Sequence, residues 1–185
     1  MSTKAEPTNV MIDLETLGTK PGCIILSVAA VPFHSTCLQP VFYEKISQDS
    51  CISSGLVSDP DTIAWWNKQN PLVRNEAFSG TKHLIEVLDE LALWMADLPT
   101  RPLIWGNGAD FDAPILAAAF GKCGLKLPWS YGASRCYRTL KNLFPAFDTV
   151  RAAVSHNALE DAIAQAANAT RMLEWIESGG PSHAA

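Results

Sequence analysis

Apolar and polar positions along the chain predict strands in the first third and helices after it. Val10, Met11 and Ile12 form an apolar run that Asp13 interrupts; Leu14 resumes it and Glu15 interrupts it again. The pattern predicts a first strand over residues 9–13. A turn over residues 17–22 closes it, where Gly18, Pro21 and Gly22 break regular structure. The Ile- and Val-rich stretch 23–33 predicts a buried second strand, with Pro32 at a terminus or an edge. PVFYEKI (40–46) alternates and predicts a third strand, completing an early meander.

Helical period follows. Asp59-Pro60-Asp61 is a start signal, and the helix through TIAWWNKQN stops before Pro71. Over residues 82–98, Leu84, Leu88, Leu91, Met95 and Leu98 share one stripe of an amphipathic helix. PLIWGNG reads as a short strand, DFDAPILAAAFGKCG as a helix, and RCYRTLKNLF as a short strand with a helical turn. NALEDAIAQAANATRMLEWIES is a long last helix, ended by Gly179-Gly180-Pro181. The order predicts an α/β fold, a mixed sheet of about five strands flanked by helices. One domain is expected over residues 9–178, with residues 1–8 disordered and 179–185 frayed.

Composition narrows the class. The chain has 185 residues, 48% hydrophobic and 18% charged, which excludes a disordered polymer. No apolar stretch reaches bilayer length, so no membrane partner is expected. MSTKAEPTN lacks the apolar core of a secretory leader, and a cytoplasmic location is expected. Five cysteines without a CxxC pair point to free thiols rather than disulfides or a zinc site. The net charge of −5 argues against a polyanionic partner. That objection weakens if acids serve as metal ligands, since removing four carboxylates from the −5 leaves −1.

Three groups of residues carry candidate chemistry. Asp13 and Glu15 are two apart, so on an extended chain both point to one side. Such neighbours repel unless a cation lies between them or one is protonated. A hard cation such as Mg²⁺ or Mn²⁺ suits them, and so, on the pair alone, does an exposed Glu15 beside a capping Asp13. GNGADFD places Asp110 and Asp112 at a helix start, where a carboxylate is favoured with or without a ligand. Asp110 is the better N-cap candidate, and Asp112 the one aimed outward. SHNALEDA places His156 just outside the last helix, with Asn157 and Glu160 at capping-box spacing and Asp161 ending the first turn. Trp65 and Trp66 are adjacent on a helix and face different ways; core packing suits both, or one stacks on a base.

Taken in order, D-x-E on a first strand, N-x-x-x-F-D opening a middle helix and H-x4-D on the last helix resemble the DEDDh 3′–5′ exonucleases. These belong to the DnaQ-like, ribonuclease H-like superfamily. MIDLETLGTKPG, TIAWWNKQ, LIWGNGADFD and RTL look most like a phage and bacterial branch, similar to a mycobacterial 3′–5′ exoribonuclease and also labelled exodeoxyribonuclease VIII-like. The resemblance covers about residues 10–173. It implies that Asp13, Glu15, Asp112 and Asp161 bind two Mg²⁺ or Mn²⁺ ions and that His156 is the general base. It further implies contacts from Thr16 and Leu17 to the 3′ nucleotide of single-stranded RNA or DNA. Asn107, Trp66 and Arg138 are added as candidate substrate contacts, and a homodimer is among the expected partners. A non-catalytic nucleic-acid-binding module on the same fold is the alternative.

Overall fold

The computed structural model describes residues 8–33 and 40–179. Strands β1 (Asn9–Thr16), β2 (Ile25–Phe33), β3 (Phe42–Lys45), β4 (Leu103–Gly106) and β5 (Ser134–Cys136) form one sheet in the order β3-β2-β1-β4-β5. β1 runs antiparallel to β2, and β2 to β3, while β4 is parallel to both β1 and β5. This is the expected meander extended by two parallel strands. Pro32 still pairs with Val10 of β1, but the β3 ladder has ended at Ala30, so β2 tolerates its missing N–H there.

Seven helices are present among the described residues: α1 (Gln48–Ser53), α2 (Pro60–Trp66), α3 (Pro71–Ala77), α4 (Leu84–Ala96), α5 (Asp112–Lys122), α6 (Tyr137–Leu143) and α7 (Ala158–Glu177). α2 ends at Trp66, and Pro71 opens a further helix, where Asn70 accepts from the Leu72 N–H. The proline that stops one helix is pre-organised for the first position of the next. Expected disorder over residues 1–8 and fraying over 179–185 fall mostly outside the described residues. Thr8 is described, and it is buried, with its N–H donating to Thr100 Oγ1 at 2.8 Å.

The alternation of β1 divides the core. Val10, Ile12 and Leu14 face α4 and α5, packing with Leu84, Leu88, Leu91, Ile115 and Phe120. Met11 faces the other way, into a layer with Trp105, Tyr137 and the stripe Ala158, Ala162, Ala166 and Ala169 of α7. Small side chains at this helical spacing let α7 lie close on the sheet. Continuing the Met11 face along β1 leads to Asp13 and then Glu15. The sheet therefore delivers both acids under the start of α7, at the carboxyl ends of the parallel strands β1 and β4.

Candidate active site

Four carboxylates converge there. Asp13, Glu15 and Asp161 each bring an oxygen within 4.8 Å of the others. Asp112 is the first residue of α5, 3% exposed, and its Oδ2 accepts the Asn107 N–H at 3.1 Å. A Cβ at Gly106 would lie 2.7 Å from that Oδ2, so only glycine lets the carboxylate approach β4 this closely. Asp161 Oδ2 accepts the His156 N–H at 2.9 Å. One turn further along α7, Gln165 donates Nε2 to Asp13 Oδ1 at 2.7 Å. Asn157 caps α7, its Oδ1 accepting from the Leu159 and Glu160 N–H groups.

His156 is exposed and has φ +63°, a left-handed conformation that costs a branched or bulky residue energy. Its ring meets Trp65 edge to face at 4.8 Å. Together these groups line a cleft of about 660 Å³ whose lining includes Asp13, Glu15, Thr16, Trp65, His156 and Asp161.

Burial and mutual repulsion dominate the electrostatics. Burial, then the charges of Asp112 and Glu15, hold the Asp13 carboxyl well above the usual carboxylate range. Burial and the Asp161 and Asp112 charges push Glu15 up to about 8. Burial lifts Asp112 to about 7, against the pull of backbone N–H donors and Arg138. Asp161 is raised by burial, opposed by its bond from the His156 N–H. No Lys or Arg lines the principal cleft among the described residues. The Asp13, Glu15 and Asp161 oxygens, which share their cleft with no Lys or Arg, fit a hard divalent cation.

A stability test follows from Glu15. Below about pH 4.5 its carboxyl is protonated in both folded and unfolded chains. Between there and about 8 only the folded chain holds the proton, so the wild-type protein loses stability as pH rises, by a few kcal/mol at the most. In chelator, Glu15→Gln is expected to raise the melting temperature by roughly 5–10 °C at pH 9 and to change it little at pH 4.5. Equal shifts at both pH values would show that folding does not hold this proton.

The structure departs from several sequence expectations. β1 continues through Thr16, three residues beyond its expected end at Asp13, and carries Glu15. Phe111, with no side-chain capping bond, occupies the N-cap of α5 in place of Asp110. Asp110 is exposed, whereas Asp112 is buried near Asp13. Leu17, expected as an exposed wedge, is 3% exposed and packs in the core with Cys23 and Ile24. The bulge between Glu15 and Thr16 breaks the alternation, and Leu17 turns inward as its N–H donates to Ile24 O. Trp66, named as a substrate contact, is 1% exposed and donates its indole N–H to Thr16 O at 2.9 Å. Trp65 is the exposed member of the pair, at 40%.

Thr16 is buried at the cleft wall, its hydroxyl donating to Gly18 O at 2.6 Å. Asn107 also lines the cleft, and its O accepts from Arg138 Nη2 at 2.6 Å. Arg138 is exposed in an adjoining cavity with Asp110 and Asp112. Sequence reading missed Gln165 and Gly106. Gln165 was within reach, since it stands four residues after Asp161 and so on the same helical face.

The sheet order is that of a ribonuclease H-like α/β fold, with a carboxylate cluster at the ends of its central strands. Residues 8–173 match the 3′-5′ exoribonuclease Rv2179c-like domain, and the chain belongs to this family of 3′–5′ exonucleases. Family membership sets aside the non-catalytic alternative. No curated protein matches the sequence. The nuclease domain of 3′hExo, a DEDDh family member solved with rAMP, superposes with TM-score 0.62 at 15% identity, over 90% of this chain and 92% of that one. Exonuclease I of E. coli, solved with an oligonucleotide, gives TM-score 0.61 at 15% identity over 94% of this chain, which spans 43% of that protein. CRN-4, a cell-death related nuclease, gives 0.51 at 10% identity, over 90% of this chain and 64% of that one. No helix among the described residues is long and apolar enough to cross a membrane.

Proposed function

We propose that the protein removes nucleoside 5′-monophosphates one at a time from the 3′ ends of single-stranded or 3′-overhanging nucleic acid. The observation that carries this reading is the convergence of Asp13, Glu15 and Asp161 beside His156 in one cleft, with the buried Asp112 carboxylate next to Asp13. That 3′hExo was solved bound to rAMP and Exonuclease I in complex with an oligonucleotide supports a nucleic-acid substrate on this fold.

The four acids would hold two Mg²⁺ or Mn²⁺ ions, which when bound supply charge compensation and Lewis acidity at the phosphate. The His156 imidazole takes a proton from the attacking water. The water oxygen bonds to phosphorus, the P–O3′ bond breaks, and the departing 3′-oxygen takes a proton from solvent. Asp161 anchors His156 through its backbone N–H, leaving the ring free to face the cleft. Thr16 and Asn107 contact the terminal nucleotide and Arg138 a phosphate. The Trp65 ring, in place of the buried Trp66, offers a face for a base. Leu17 shapes the turn from within the core and makes no contact.

The test offers 5′-labelled RNA and DNA, single-stranded and with recessed or overhanging 3′ ends, in Mg²⁺ and in Mn²⁺. Stepwise shortening with release of nucleoside 5′-monophosphates is expected, with RNA preferred in line with the family's description. Internal cleavage, release from the 5′ end, or full activity in excess chelator would overturn the reading.

A further inference from the structure

Behind Asp161 and Gln165, as seen from the catalytic cleft, lies a second cavity of about 420 Å³. The two cavities share Asn107, Asp161 and Gln165 as a common wall. The opposite wall carries Lys141 from α6 and Thr149, Arg151 and Ser155 from the segment leading to His156. That segment is fixed in place. Asn168, 2% exposed, accepts the Val150 N–H and donates to Val150 O, both at 2.8 Å. Arg171 donates to Asp148 O at 2.8 Å and lies 5.0 Å from the Phe147 ring centre.

The cations of this region are not equivalent. Arg135 donates to Gly132 O and Ser134 O, Arg138 to Asn107 O, and Arg171 to Asp148 O. Arg151 is exposed and makes no hydrogen bond or ion pair among the described residues. Lys141 lies 5.7 Å from the Tyr137 ring and faces no carboxylate partner either. In a chain of net charge −5, two cations without a carboxylate partner thus stand on the rim of a polar cavity that opens beside the acid cluster.

We infer that this cavity seats the sugar-phosphate backbone of the strand upstream of the scissile bond, with phosphates on Lys141 and Arg151 and hydrogen bonds from Thr149 and Ser155. The inference rests on the proposed exonuclease reading and adds the path by which a polymer reaches the cleft. Its lining is mostly polar, with its one aromatic, Tyr137, buried, so it suits backbone and not bases. Binding there is indifferent to sequence and sensitive to salt.

The experiment measures binding of a 5′-fluorescein single-stranded 12-mer by anisotropy in Ca²⁺ from 50 to 200 mM salt. Hydrolysis of a nucleoside 5′-monophosphate p-nitrophenyl ester, which has no upstream strand, is measured in parallel. Lys141→Gln/Arg151→Gln is expected to weaken 12-mer binding about tenfold and to lower the slope of log affinity against log salt by about 1.4, at about 0.7 for each lost phosphate contact. The loss should be confined to the long ligand, with KM and kcat for the short ester near wild type. Thr149→Lys, adding a cation to the same wall, should tighten 12-mer binding. Unchanged affinity and salt slope in the double variant would overturn the inference while leaving the exonuclease reading intact. A wild-type protein that binds the 12-mer but hydrolyses neither substrate in Mg²⁺ would overturn the exonuclease reading, and the groove with it.

Discussion

Asp13→Asn is expected to cut exonuclease turnover by about 10³-fold, the size of a lost metal-borne stabilisation of the transition state. Asp13 is the carboxylate raised by all three of the other acids, Asp112, Glu15 and Asp161. It is therefore the acid whose neutralisation relieves the most repulsion in the folded chain. Asparagine keeps the Oδ1 acceptor to which Gln165 donates, so packing at the start of α7 is retained. The variant should melt no lower than wild type in chelator, and the rise in melting temperature on adding Mg²⁺ should shrink. Near wild-type hydrolysis by a folded Asp13→Asn protein would remove the cluster from the chemistry. Loss of activity with the full Mg²⁺-induced rise retained would separate catalysis from metal binding at this residue.

His156→Asn should slow turnover by about 10²–10⁴-fold, the range ascribed to a positioned general base. Asparagine is the informative replacement because His156 has φ +63°, a region that Asn enters more readily than most residues. The backbone N–H that donates to Asp161 Oδ2 is preserved, so the carboxylate keeps its partner. The Mg²⁺-induced melting shift should therefore equal that of wild type, while kcat falls and KM changes little. An unchanged kcat would exclude His156 as the proton acceptor. A lost metal shift would instead assign it to the metal site.

Much of the fold was legible because burial writes a period into sequence. β1, β2, α4 and α7 each bury one face or both, and their apolar spacing marks them without reference to other parts of the chain. The helices α1 and α3 were not read. They are six and seven residues long, too short to display a period, and their boundaries depend on caps from Ser47 and Asn70. Leu17 and Trp66 show a second kind of error. Side-chain direction after a bulge, or at the end of a seven-residue helix, depends on which neighbours fold back over it.

The sequence alone determined the order D-x-E, F-D and H-x4-D and the elements that carry each motif. Period two in β1 also sufficed to put Asp13 and Glu15 on one face. What only the tertiary structure decided is the company those acids keep. Parallel pairing of β4 with β1 brings Asp112 to Asp13 over a glycine, and the alanine stripe of α7 lowers Asp161 and Gln165 onto the same spot. Asp112, Asp161 and Gln165 each lie about 100 or more positions from Asp13 in the chain. Their proximity, and hence the raised pKa of each carboxyl and the need for a cation, depends on long-range packing that no local pattern encodes.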